Sequence, residues 1–337
     1  MKALLFKTLL LVFTALSSIQ LFAASKGLQS EDIEIPVPDG FEECINRSLK
    51  FLALQQNPDG SWKGQYGTNV GENALIMMAF MSQGNLPGEG LYGHQVAKGL
   101  HWLLQQVQPS GLIKSTDRAP AMYGHALATL MLSEVWGQTR RNDVQQALQK
   151  AVDLILRVQG TKGGWGYKSK PEDGDTSICV MQLFALKSSH EAGMHIPPEV
   201  INKALELIKT RHNPAKKAFG YNSTSFDMSH VGSSAAGVCI MQICQVKDPI
   251  YTSQPLEPLF EAMTKDKVKG HKFYFVYYAS IACYVDGPQS YQRWLKLSQH
   301  KLLSWEKKKG GFGQPYQTAF AVLSMSLPYR YIPIYQH

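Results

Sequence analysis

The sequence predicts an all-α fold of six helical hairpins, with an inner ring of six helices inside an outer ring. Three observations carry this. A glycine-aromatic motif returns about every fifty residues: DGSW at 59–62, GGWGY at 163–167, AFGY at 218–221 and GGFG at 310–313. SGLI at 110–113 is a copy that has lost its aromatic, and KGHKF at 269–273 falls near the middle of the one double interval. Amphipathic and wholly apolar helical segments alternate between the motifs, and strand-like alternation is scarce.

Each hairpin opens with an amphipathic helix. In NDVQQALQKAVDLILRVQ the residues Val144, Ala147, Leu148, Ala151, Leu154, Ile155 and Val158 form one stripe, so the other face meets water. Its partner TSICVMQLFALKS is apolar nearly all round and has to be buried on every side. The same reasoning gives outer helices at 41–56, 91–107, 142–159, 197–212, 255–267 and 289–305, and inner helices at 72–84, 121–136, 176–193, 231–246, 272–285 and 315–327. In an open stack of hairpins the concave helices would be more polar than these, so the ring is expected to close. The tail LPYRYIPIYQH, whose prolines and aromatics cannot continue a helix, is expected to pack on the first hairpin.

The first residues read as a secretory signal peptide over 1–25: Lys2 and Lys7, an apolar stretch, then the small residues Ala23, Ala24 and Ser25. A linker over 26–40 and the helical ring over 41–337 follow. The mature chain is expected to be secreted or periplasmic, because no second run of 18 apolar residues is present. A periplasmic or membrane-surface partner is open at this point. The formal charge of +8 is spread along the chain apart from Lys307, Lys308 and Lys309, without the basic-aromatic stripe that nucleic acid would demand. The five cysteines show no metal-ligand spacing, and Cys239 and Cys244 lie on different faces of a helix, so they read as core thiols.

SLKFLALQQNPDGSW, with Gln56, Gly60 and Trp62, resembles the Gln-Trp repeat of squalene and hopene cyclases, and AVDLILRVQGTKGGWGY repeats it with Gln159, Gly163 and Trp165. Together with MYGHALATLMLSE and YRYIPIYQ, these blocks resemble the prenyltransferase and squalene-oxidase repeat family, in particular its small secreted bacterial squalene-cyclase-like members. The resemblance implies an (α/α)6 toroid. The motif also makes physical sense alone: Gly permits a positive-φ turn, Trp covers it, and Gln can bond free helix-end groups.

The repeat register offers Asn73, His125, Asp175, His230, His271 and Gln317 at the starts of the inner helices, with Tyr123, Met181, Phe184, Phe273, Tyr274, Tyr277 and Tyr278 behind them. This suggests a polar rim over an aromatic wall, fit for an apolar or isoprenoid ligand with a polar end. Asp175 in PEDGDTS is also well placed as a helix N-cap. The cyclase resemblance implies a proton donor in an Asp-x-Asp-Asp-Thr motif. Aligned on Thr176, this chain presents Glu172, Asp173, Gly174 and Asp175, so Gly174 replaces the middle acid. If a terpene cyclase-like isomerase activity exists, Asp175 with Glu172 or Asp173 would be the acid, and His125 or His230 its hydrogen-bond partner.

The prenyltransferase resemblance implies zinc held by Asp, Cys and His. Asp227, His230 and His271 lack the Cys, and no metal or other cofactor is expected. Two further readings stay open: a non-catalytic repeat scaffold whose rim binds a protein or a glycan, and a glycan-processing (α/α) barrel using Asp175 with Glu72 or Asp227.

Overall fold

The computed structural model describes residues 36–64, 67–266, 268 and 271–332. The expected signal peptide, most of the linker and the last five residues lie outside them. Twelve α-helices alternate as anticipated among the described residues. The outer helices are α1 (Phe41–Leu54), α3 (Gly93–Leu104), α5 (Asn142–Arg157), α7 (Pro198–Lys209), α9 (Leu256–Thr264) and α11 (Pro288–Trp305). The inner ones are α2 (Val70–Met81), α4 (Ala121–Thr139), α6 (Thr176–Glu191), α8 (Val231–Ile243), α10 (Lys272–Asp286) and α12 (Pro315–Met325). The only sheet among these residues is a two-stranded ribbon, β1 (His212–Asn213) with β2 (Ala218–Phe219).

Sequence pattern sets the layers. Every residue of α2 is buried, whereas α5 buries only the stripe from Val144 to Ile155. Each inner helix packs on the next, and α12 packs on α2, so the inner ring is closed. The described residues from Val37 onward form an α/α toroid.

The Gln-Trp motif is a joint between hairpins. Gln159 Nε2 donates to Gly163 O within its own turn and to Val200 O at the start of α7, both at 2.9 Å. Gln56 does the same toward Gly60 O and Gln95 O at 2.9 and 2.8 Å. The Trp165 indole is fully buried and donates to Ile155 O at 2.8 Å. Gly163 has φ +102°, and a Cβ there would stand 2.5 Å from Lys203 O, so only glycine lets the turn touch the neighbouring outer helix.

A second repeated device was misassigned from sequence. The turn's key residue offers its backbone N–H to a polar side chain one turn into the inner helix: Trp62 to Asn73 Oδ1 at 2.8 Å, Ile113 to His125 Nδ1 at 3.1 Å, Trp165 to Cys179 Sγ at 3.4 Å. Phe219 to Ser234 Oγ and Phe312 to Thr318 Oγ1 continue the series at 3.1 and 2.9 Å. Five residue types serve one geometric role, so the register had looked chemical where it is a clamp.

The last hairpin meets the first through the same kind of joint. Gly310 faces Arg47 O of α1, and Arg47 forms a bidentate pair with Glu306 at 2.8 and 2.7 Å. Tail residues add to the seam: Ile332 is buried, the Tyr331 ring lies 3.4 Å from where a Gly84 Cβ would sit, and Gln83 Nε2 donates to Ser326 Oγ at 2.9 Å. Truncation after Leu327 is expected to lower the melting temperature by several degrees, the scale of roughly 1–2 kcal/mol lost from a domain of this size. An unchanged thermal midpoint would count against the tail as part of the seam.

Candidate functional site

The described outer-to-inner turns pack against the starts of the inner helices, which form the mouth of the ring. There a cleft of about 840 Å³ is lined by Tyr167, Glu172, Asp175, Arg211, Tyr221 and Asn222, among others. Asp175, only 5% exposed, caps α6 as its position before TSICV demands: Oδ1 accepts from Ile178 N at 3.1 Å and from Ser177 Oγ at 2.5 Å. The Tyr167 hydroxyl donates to Asp175 Oδ2 and accepts from the Tyr221 hydroxyl at 2.5 Å. On the other side, Tyr123 OH lies 3.0 Å from Ser177 Oγ. A continuous polar chain thus runs Tyr221, Tyr167, Asp175, Ser177, Tyr123 across three neighbouring hairpins.

Buried Arg211 fixes this chain in place. Its guanidinium donates to Gly174 O at 2.5 Å and to Thr176 Oγ1 at 3.3 Å, while Thr176 N and Oγ1 donate to Tyr221 O and Gly220 O, both at 2.7 Å. Burial lifts the phenols of Tyr123, Tyr167 and Tyr221 above the usual tyrosine range, and for Tyr167 the bond to Asp175 adds to it. The tyrosines are therefore neutral donors at physiological pH. His230 stacks on Tyr221 with centroids 6.0 Å apart, and its Nδ1 sits 3.5 Å from Asp227 Oδ1.

The other expected residues are dispersed. His125 is fully buried, with Nδ1 accepting from Ile113 N and Nε2 3.2 Å from Ala151 O. Both nitrogens serve backbone groups, so it is no partner of Asp175; burial holds its pKa down at about 4. Asn73 is a clamp as well. Gln317 closes a capping box with Gln314 at the start of α12, and Phe273 packs between Trp305 and Phe312, on the outer-helix side of α10. Asp173 is a turn acceptor for Lys162 N and Gly164 N, and Glu172 is exposed at the cleft edge. Among the described residues no group of three or more His, Cys, Asp or Glu side chains could hold a metal ion, and Asp227, His230 and His271 do not form one.

Gly174 settles what the PEDGDT stretch can hold. A Cβ there would stand 2.3 Å from Trp165 O and 2.8 Å from Ile178 Cγ2. The position has no room for a side chain. The ring interior is also occupied: Tyr277 meets Tyr278 and Phe320 at centroid distances of 4.9 and 5.1 Å, and Phe184 meets Tyr278 at 6.2 Å. Above this cluster the Tyr274 hydroxyl is buried without a hydrogen-bond partner among the described residues.

Tyr167, Tyr221 and Ser177 escaped the sequence reading. A signal existed, since GGWGY and AFGY both end in Gly-Tyr at the same register, 54 residues apart.

No family model matches the chain. A curated relative, the lanosterol synthase erg7B of Aspergillus fumigatus, is 25% identical over 160 residues, 46% of this chain and 21% of its own length, so the chain spans about a fifth of that protein. Among solved structures, the GH76A α-1,6-mannanase of Salegentibacter, in an inactive variant with α-1,6-mannotriose, aligns with TM-score 0.66 at 10% identity, over 85% of this chain and 98% of that one. The type II terpene cyclase MstE of Scytonema aligns with TM-score 0.60 at 13% identity, over 86% and 99%. At such identities the likeness establishes the fold.

Proposed function

We propose that this toroid binds a hydroxyl-rich ligand, of the saccharide class, in the mouth cleft, and that it does not cyclise polyenes. The observation that carries the reading is the Tyr221–Tyr167–Asp175–Ser177–Tyr123 chain, whose Tyr221, Tyr167 and Asp175 line the cleft. Phenols present both a flat apolar face and a donor, and a carboxylate, an arginine and an amide complete what sugar hydroxyls pair with. Three features weigh against alkene protonation: Gly174 admits no acid, Asp175 already accepts three hydrogen bonds, and aromatic side chains occupy the ring interior. Export beyond the inner membrane belongs to the proposal and rests on the opening residues of the sequence alone.

One observation favours a second reading. The unpartnered Tyr274 hydroxyl above an aromatic cluster suits an amphiphilic isoprenoid whose polar head enters from the mouth, in keeping with the substrate complex known for MstE, geranylgeranyl dihydroxybenzoate. Calorimetry with α-1,6-mannotriose and with geranylgeranyl dihydroxybenzoate separates the two. Saccharide binding is expected to weaken about three- to tenfold in Tyr167→Phe, the loss of one net hydrogen bond. Asp175→Asn should keep its cap and its melting temperature, because Asn caps a helix about as well as Asp. Tight binding of the isoprenoid with none of the trisaccharide would favour the second reading.

A further inference from the structure

Positive charge is unevenly placed around the mouth. In the turn before α6, Lys162, Lys168 and Lys170 are balanced by Glu172, Asp173 and Asp175. From the next turn onward the balance breaks. Lys216 and Lys217 stand in the turn before α8, on a groove of about 360 Å³ shared with Phe260, Arg293, Glu257 and Glu261. Lys272 opens α10 with its ammonium 4.1 Å from the Trp305 ring centre, and Lys307, Lys308 and Lys309 are exposed in the turn before α12.

The carboxylates of this half-rim pair with other groups: Glu306 with Arg47, Glu257 with Arg293, Glu261 with Lys265, and Asp227 with Ser229 and His230, while Asp266, 3.9 Å from Lys301, and Glu257 act on Lys272 and Lys217 only from a distance. None of these six lysines has a carboxylate oxygen within 4.0 Å among the described residues. Burial, with Lys307 nearby adding to it and Asp266 opposing it, holds the Lys272 ammonium below the usual lysine range. Among the described residues of these turns no large exposed apolar side chain occurs; Leu54, Leu91, Tyr167, Ile250 and Tyr331 are elsewhere. That speaks for a charged polymer in water over a surface that inserts into lipid.

We propose that the lysine arc of Lys216, Lys217, Lys272, Lys307, Lys308 and Lys309 holds a polyanionic polysaccharide, whose uncharged hydroxylated stretch reaches the tyrosine cleft. The proposal rests on the saccharide reading and names the class of saccharide. The arc and the cleft are contiguous, because Lys216 and Lys217 lie in the same turn as Tyr221. An extended chain of regularly spaced sulfates or carboxylates matches lysines on successive turns better than a single small anion does.

Dextran sulfate and uncharged dextran of equal length provide matched probes. The variant Lys216→Gln/Lys217→Gln/Lys308→Gln/Lys309→Gln is compared with Lys150→Gln/Lys203→Gln/Lys247→Gln/Lys296→Gln, which removes the same charge off the arc. All eight positions are exposed, Lys150, Lys203 and Lys296 on outer helices and the others in turns and loops, so both variants should melt like the wild type. Dextran sulfate affinity is expected to fall about tenfold or more in the arc variant and less than about twofold in the control, with a steep salt dependence in the wild type and the control that flattens in the arc variant. Equal losses in the two variants would assign the binding to overall charge and overturn the arc. Binding of phosphatidylglycerol vesicles with the same lysine dependence, and none of dextran sulfate, would overturn it in favour of a membrane. If mannotriose binds and dextran sulfate does not, the cleft reading stands and the arc falls. If dextran sulfate binds through the arc yet neither mannotriose nor Tyr167→Phe has any effect, the cleft reading falls.

Discussion

Gly174→Asp, which would restore the middle acid of the cyclase motif, is expected to destabilise the protein by about 3 kcal/mol or more and to yield no cyclised product. Its Cβ would stand 2.3 Å from Trp165 O, and that oxygen is held by Gly174 N at 3.1 Å, so the two strands of the loop cannot separate without breaking their own bond. Arg211 pins the other side of the residue through Gly174 O. Gly174→Ala should cost most of the same amount, since the clash begins at Cβ. Thermal denaturation of both variants beside Asp175→Asn checks this. A Gly174→Asp protein that melts like the wild type would mean the loop has a second conformation, and would reopen the question of an acid at this position.

Acidification should reveal the clamp of the second hairpin. His125 is neutral in the fold with a pKa of about 4, against an ordinary value of 6.5 in the unfolded chain. The unfolded state therefore takes up the proton first. The stabilisation is complete above about pH 6.5 and is lost progressively as pH falls toward 4, to a total of roughly 3 kcal/mol. His212, also lowered by burial, adds to the same trend. His125→Asn isolates the effect, because Asn73 performs the clamp in the first hairpin without titrating. The variant's denaturation midpoint should vary less between pH 6.5 and 4 than that of the wild type. Identical slopes would show that His125 is not the responsible group.

The architecture was legible because it is written in burial, and burial is periodic. An inner helix such as LIMMAFM has no polar face at all, and its start was placed within two residues of Val70. Gln56 and Trp62 were read correctly for the same reason, as their role is local to the turn. The mouth was less legible because two registers overlap there. Asn73 and His125 sit one turn inside their helices whereas Asp175, His230 and His271 precede theirs, and polar residues four apart look alike in sequence. Phe273 and Tyr274 are neighbours in the chain, yet one packs toward the outer helices and the other faces the ring interior, a difference of one step around a helix. Tyr167 went unread because its motif was explained by the tryptophan beside it.

The seam between Glu306 and Arg47 joins residues 259 apart in sequence, whereas the joint from Gln159 to Val200 spans 41. Loop closure grows with the logarithm of separation, so the seam starts about 1.6 kcal/mol behind the Gln159–Val200 joint before any contact is counted. The bidentate ion pair, the buried Ile332 and the Gln83–Ser326 bond stand where that handicap falls. The toroid is a belt and the tail part of its buckle: the Gln56 and Gln159 joints link neighbours along the chain, whereas the seam has to bring its two ends together.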